Sequence, residues 1–271
     1  MGKMTRRLLR LGLVVLLPAV LLAHDTWLVP SKFHLSPGAT VLVRLATSEA
    51  FPTSDGAVTP ERVARFTLHT KAGTQPVKDY RVDGNYLLAE VAPQEEGHAI
   101  MVAETKPHAF VLEPKVFNDY LREEELKPMI EARRKAGKTN TPGRERYRKI
   151  AKTILCVGET RDTLYNKPQG LWVEIVPESS PCDLRVGNRL TVRVLLDGKP
   201  LPGVHLAAGY EGVTGHTYPI WVKTPQSGRV RITFDRPGLW FVRTLYMTPA
   251  KDDPEADWHS AFSTLTFEVQ P

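Results

Sequence analysis

Pro-Gly, Asp-Gly and Glu-Gly pairs cut this chain into short apolar runs, and that punctuation limits what it can fold into. The stretches ATVLVRLATSEAF, VARFTLHTKAG, DGNYLLAEVAP and HAIMVAETKPHAFVL, all between Trp27 and Leu112, are rich in Val, Leu, Phe and Tyr. Such residues between turn signals read as strands, because branched and aromatic side chains suit a pleated surface. With 22 prolines and 19 glycines spread along 271 residues, many short strands fit and a helical bundle does not.

The region from Glu113 to Val157 changes character. VFNDYLREEELKPMIEARRKAG places Val116, Tyr120, Leu121, Leu126, Met129 and Ile130 near helical spacing, and Gly137 follows a basic last turn. Pro128 kinks that helix or starts a second one. RERYRKIAKTILCVG reads as a further helix, with Tyr147, Ile150, Ala151 and Ile154 on one face. The acidic run Glu123, Glu124 and Glu125 reads as a solvated helix face. From Leu171 the strand pattern returns, with an Asp197-Gly198 turn and a buried aromatic strand after Arg236-Pro-Gly.

The expectation is therefore a mainly β protein: two immunoglobulin-like or prealbumin-like β-sandwich domains with an inserted helical hairpin. The divisions read as a signal segment over 1–23, an N-terminal β domain over 24–112, the hairpin over 113–157 and a C-terminal β-sandwich over 158–271. The signal segment has Lys3, Arg6, Arg7 and Arg10 ahead of an apolar core from Leu11 to Leu22, then small Ala23. That core is shorter than the ~20 residues a spanning helix needs. Export followed by cleavage, with a periplasmic product and no stable membrane anchor, is the reading; an uncleaved anchor is the alternative. Removing the segment takes the net charge from +6 to about +2. No basic stripe with interleaved aromatics remains for nucleic acid.

Cleavage after Ala23 makes His24 the first residue of the mature chain. Its α-amine and imidazole, titrating near ~8 and ~6.5, could then close one chelate ring on a divalent metal. The bland alternative is a plain secretory junction docked on the first strand. No HExxH, CxxC or His-x-His spacing is present, so a metal site must be assembled from distant strands. His98 in EEGHAI and His69 in FTLHTK complete the candidate ligand set, against the reading of both as ordinary strand or turn residues. Imidazole and amine nitrogens suit nickel, cobalt, copper or zinc. Cys156 and Cys182 are either a disulfide or two buried thiols; a bridge adds about 3–4 kcal/mol in the chain-entropy model. Neither GxSxG nor a Cys–His arrangement appears, so no catalytic residue is assigned and the chain reads as a non-enzyme.

Five blocks in order, AHDTWLVP (23–30), FNDYLREEEL (117–126), GRERYRKIAK (143–152), DGKPLPG (197–203) and RPGLWFVRTLYMTPAKDDPEADWHSAFSTLTFE (236–268), resemble the domain-of-unknown-function family numbered 4198. Its members are often labelled nickel-uptake (NikM-like) or periplasmic components of cobalt and nickel transport. The resemblance implies a periplasmic, mainly β accessory protein that binds nickel or cobalt or serves a metal-uptake transporter in the inner membrane. By position, His24, Trp27 and Pro30 fall in the family's first motif, and His98 matches an expected histidine. Tyr246 stands where related sequences read a histidine, which removes one ligand from a histidine-rich site. The alternative, from a different class, is a metal-independent structural or adhesion-type module that binds protein or glycan. An oxidative copper enzyme built on an N-terminal histidine is a third reading.

Overall fold

The computed structural model describes residues 24–271, and the 1–23 signal assignment lies outside the described residues. Strands dominate. In chain order they begin with β1 (Asp25–Pro30), β2 (His34–Leu35), β3 (Val41–Ser48), β4 (Val63–Thr70), β5 (Gly73–Pro76), β6 (Tyr80–Asp83), β7 (Tyr86–Val91), β8 (Gly97–Thr105) and β9 (His108–Leu112). Helices α1 (Pro114–Glu123) and α2 (Lys127–Lys135) follow, then the long β10 (Gly143–Val157). The remainder is β11 (Val173–Pro177), β12 (Arg189–Leu196), β13 (Lys199–Pro200), β14 (His205–Tyr210), β15 (Ile220–Lys223), β16 (Arg229–Thr233), β17 (Gly238–Pro249) and β18 (Trp258–Val269).

These strands form one large sheet of order β15-β14-β17-β18-β10-β8-β4-β5, with β2 and β9 also paired on β10, and two smaller sheets. One small sheet runs β1-β3-β7-β6; the other is β11-β12-β13 with β16 on β12. Within the large sheet β10 pairs β18 in parallel, Glu145 opposite Trp258 through Thr153 opposite Thr266, and β8 in antiparallel fashion. The segments before and after the middle region thus meet in one sheet through β10.

Side-chain alternation turns this pairing into layers. Ala151, Leu155 and Val157 of β10, with Ala99 and Met101 of β8, pack among Leu28, Val43 and Leu87 of the first small sheet. Ile150, Ile154 and Cys156, with Ile100 and Val102, pack instead among Val173, Ile175, Val192 and Val230 of the second. The large sheet is therefore covered on both faces. At Asp197-Gly198 both residues take positive φ, 48° and 75°, as the turn joining β12 to β13 requires.

The helices cover what the first small sheet leaves open. Phe117, Tyr120 and Leu121 of α1 bury against Tyr147, Leu245, Met247, Trp258 and Phe262. The fit is close at the start of β10, where a Cβ on Gly143 would lie 2.0 Å from the Phe117 ring. Among the described residues no helix is long and apolar enough to cross a membrane.

The helix expected over residues 144–158 is instead β10. Tyr147, Ile150, Ala151 and Ile154 do fit a 3.6-residue period, but the signal that governs is the period-two series Arg144, Arg146 and Arg148. All three arginines point to the less buried side, where they meet Asp257, Asp253 with Glu255, and Glu104. From Ile150 onward the strand is buried on both faces, and such a run shows no alternation.

Cys156 at the end of β10 is bridged to Cys182, with Cα atoms 5.7 Å apart across 26 positions of sequence. The link ties the large sheet to the segment between β11 and β12. Replacing both cysteines by serine is expected to lower the unfolding free energy by about 3–4 kcal/mol, read as an earlier denaturant midpoint with a slope that rises as the unfolded chain expands.

Candidate functional site

Where the first small sheet, the helices and the large sheet meet, the buried side chains are charged. Arg243, 1% exposed, interrupts the apolar run of β17 and faces β1 and the end of α1. Its Nη1 and Nη2 donate to the two carboxylate oxygens of Glu124 at 2.8 and 2.9 Å, and its Nε donates to Asp25 at 3.0 Å. Tyr218 donates from its hydroxyl to Asp25 at 3.3 Å, and its ring lies 5.4 Å from the guanidinium. Burial disfavours the arginine's charge, but Asp25 and Glu124 outweigh it and hold the guanidinium pKa well above its ordinary value. Asp25 itself is pushed upward by burial, with Arg243 opposing.

Glu124 corrects the sequence reading. It was expected on a solvated face, but it is 3% exposed. Helix α1 ends at Glu123, and Glu125 adopts φ 50°, turning the chain so that Glu124 points inward.

A second acidic group lies along β10. Glu145 is fully buried and accepts from Ser260 Oγ and, at 3.3 Å, from Tyr120 Oη. Burial pushes its pKa up to about 8 against those hydrogen bonds, so the acid is largely neutral at pH 7.

His24 sits directly before this junction and is 3% exposed. Its Nε2 lies 3.6 Å from Glu49 and its Nδ1 lies 3.4 Å from Asp55. Nδ1 is buried and makes no hydrogen bond among the described residues. Burial lowers the imidazole pKa, Glu49 and Asp55 oppose that, and Lys149 adds to it, which leaves a neutral ring near pH 7. β1 is fixed from behind, because Thr264 and Thr266 of β18 donate to the carbonyls of Thr26 and Leu28.

The structure does not gather the three candidate histidines into one site. His98 has both ring nitrogens engaged, Nδ1 with Asp162 at 2.8 Å and Nε2 with Ser180 at 2.9 Å. It pins the loop after β10 beside the disulfide. His69 on β4 is held between Thr67 and Thr74 of its own hairpin, at 2.8 Å from each ring nitrogen. Tyr246 packs edge-on against Trp172, centroids 5.7 Å apart. Among the described residues no three His, Cys, Asp or Glu side chains converge to hold a metal ion. Asp25, Glu124, Glu145, Lys149 and Arg243 were missed as site residues. The signal available was Arg243 itself, since a charge in a run reading LWFVRTLYM must be paired to be buried.

A family model described as "Domain of unknown function (DUF4198)" matches residues 21–248. No curated protein sequence matches the chain. Among solved structures it is similar to the D0-D1 domain of intimin, at 10% identity over 89% of this chain and 96% of that one, TM-score 0.23. It is also similar to the Yersinia pseudotuberculosis adhesin InvE, at 14% identity over 89% and 58%, TM-score 0.25. The Escherichia coli adhesin FdeC gives 14% over 92% and 64%, TM-score 0.25. Likenesses of this size carry no functional information.

Two outcomes follow from the charged junction. Arg243→Met leaves Asp25 and Glu124 buried without their cation and is expected to cost about 3–5 kcal/mol; adding Asp25→Asn and Glu124→Gln should recover part of that loss in the same denaturation assay. Glu145 holds its proton more tightly folded than unfolded, so its contribution is complete below about pH 4.5 and is lost as pH rises towards about 8. Glu145→Gln should flatten the fall in urea midpoint between pH 5 and pH 8, a slope of at most about 1.4 kcal/mol per unit.

Proposed function

The chain belongs to the domain-of-unknown-function family DUF4198, and from that premise we propose that it is an exported, periplasmic binding protein that holds a divalent transition metal at His24. The resemblance drawn from its sequence motifs favours nickel or cobalt, in support of metal uptake. One observation carries the reading: His24 is buried, yet its Nδ1 has no hydrogen-bond partner. A buried nitrogen without a partner is costly, and a neutral imidazole offers that lone pair to a metal.

The residues present fit such an ion. Cleavage after Ala23 would release an α-amine on the same residue, and amine plus Nδ1 form a bidentate nitrogen pair. The Asp55 carboxylate, 3.4 Å from Nδ1, supplies a third donor on the same side. Glu49, 3.6 Å from Nε2, stands where it can orient the ring from behind. Two nitrogens and one oxygen suit late first-row divalent ions, with copper favoured on raw affinity and nickel or cobalt by the family resemblance. Because the amine is one of the donors, the site is absent from an uncleaved chain. In the mature protein its role is to bind and present the ion.

Titration of the mature protein, its N-terminus confirmed by mass spectrometry, tests the reading with Ni(II), Co(II), Cu(II) and Zn(II). His24→Ala or acetylation of the α-amine is expected to weaken binding at least about a hundredfold, and Asp55→Asn about tenfold. Affinities no tighter than millimolar, about −4 kcal/mol, or indifferent to His24→Ala, would instead favour a metal-independent module binding protein or glycan.

A further inference from the structure

A cavity of about 250 Å³ opens beside the charged junction, between the loop after β3 and the middle of the large sheet. Its lining includes Lys149, Arg62, Tyr147, Thr105, Ala57 and Val58. Lys149 is 5% exposed, and its backbone N–H donates to Thr105 Oγ1 at 2.9 Å, which fixes the strand there. Its ammonium makes no hydrogen bond or ion pair among the described residues; it lies 5.7 Å from the centroid of the Tyr147 ring.

The ammonium is open to the cavity, and no acceptor of the lining residues is bonded to it there. The other buried lysine shows the ordinary solution: Lys152 donates to Glu174 at 2.9 Å. For Lys149 the carboxylate that acts on it is Asp25, which is already held by Arg243. The other charge acting on it is Arg62, which is also cationic and lowers its pKa further. Burial and Arg62 together bring the amine down to about 8. Two cations thus share one small cavity with no carboxylate of the chain between them.

We propose that this cavity is a binding site for a small organic carboxylate, its oxygens received by Lys149 and Arg62. The ammonium donates as a point charge, whereas the guanidinium can pair both oxygens of one carboxylate. Ala57 and Val58 give the cavity an apolar wall, which suits a short hydrocarbon tail better than a fully hydrated phosphate or sulfate. The volume admits a small ligand and lies below the ~300 Å³ at which drug-sized pockets begin. Neither side chain takes part in the metal ligand set assigned to His24; Lys149 acts on that ring through space, so Arg62 is the residue that separates the two sites.

Calorimetric titration of the full mature chain, freed of metal with a chelator, decides the matter. Sodium butyrate should bind saturably with a Kd below ~1 mM, acetate more weakly, and inorganic phosphate not at all. Lys149→Met and Arg62→Gln should each weaken butyrate at least about tenfold, and Arg62→Gln should leave metal binding at His24 within about threefold. If Lys149→Met fails to fold, Arg62→Gln alone carries the test, since Arg62 is half-exposed. The proposal is overturned if butyrate gives no saturable heat up to ~20 mM, about twentyfold above that Kd, if phosphate binds and butyrate does not, or if butyrate binding survives Arg62→Gln unchanged.

Discussion

A strand covered on both faces has to send every second side chain into a different core, and β10 is that strand. Its odd positions from Glu145 to Val157 face the first small sheet and the helices, while Ile150, Ile154 and Cys156 face the second. With no solvent face along most of its length, each charge it carries must be met inside the protein or left facing a cavity. Lys152 is met by Glu174 and Arg148 by Glu104, whereas Glu145 gives up its charge. Lys149 alone of these opens into a hollow. The polar features of β10 therefore descend from one topological fact.

The Arg243 junction solves a related problem at the seam between covering layers. The β1 sheet and the helices meet above β17, and three charged groups, Asp25, Glu124 and Arg243, fill the seam. Such a cluster gains little net stability over apolar packing, because desolvation consumes most of the attraction. What it secures is position. Asp25 is fixed by Arg243 and Tyr218, and that fixes the backbone one residue before it, where His24 turns its ring between Glu49 and Asp55.

Much of the architecture was legible because the turns are written locally. Asp197-Gly198, the runs around Leu45, Leu68 and Met101, and the α1–α2 segment ending before Gly137 all express their state within a dozen residues. β10 was not legible in the same way. Double burial erased its alternation, and Tyr147, Ile150, Ala151 and Ile154 coincide with a helical face. Glu124 was hidden for another reason: its partner Arg243 lies 119 residues away, and three consecutive glutamates look solvated without it. The His24 surroundings were half legible. The histidine stands out directly after the apolar run that ends at Ala23, but Glu49 and Asp55 are ordinary loop acids until β3 folds back over β1.

The contact between Thr264 and the carbonyl of Thr26 spans 238 residues, and the neighbouring bond from Thr266 to Leu28 spans as many. The earliest strand of the described chain is thus seated on the latest one. A chain made or delivered from its N-terminus holds His24 unsupported for nearly the whole of that process, and only β18 completes the shelf beneath it. Closing so long a loop is slow, since the entropy is lost before the contacts repay it. The packed setting of His24 is consequently among the last parts of the molecule to exist, and its presence reports that the whole described fold has been assembled.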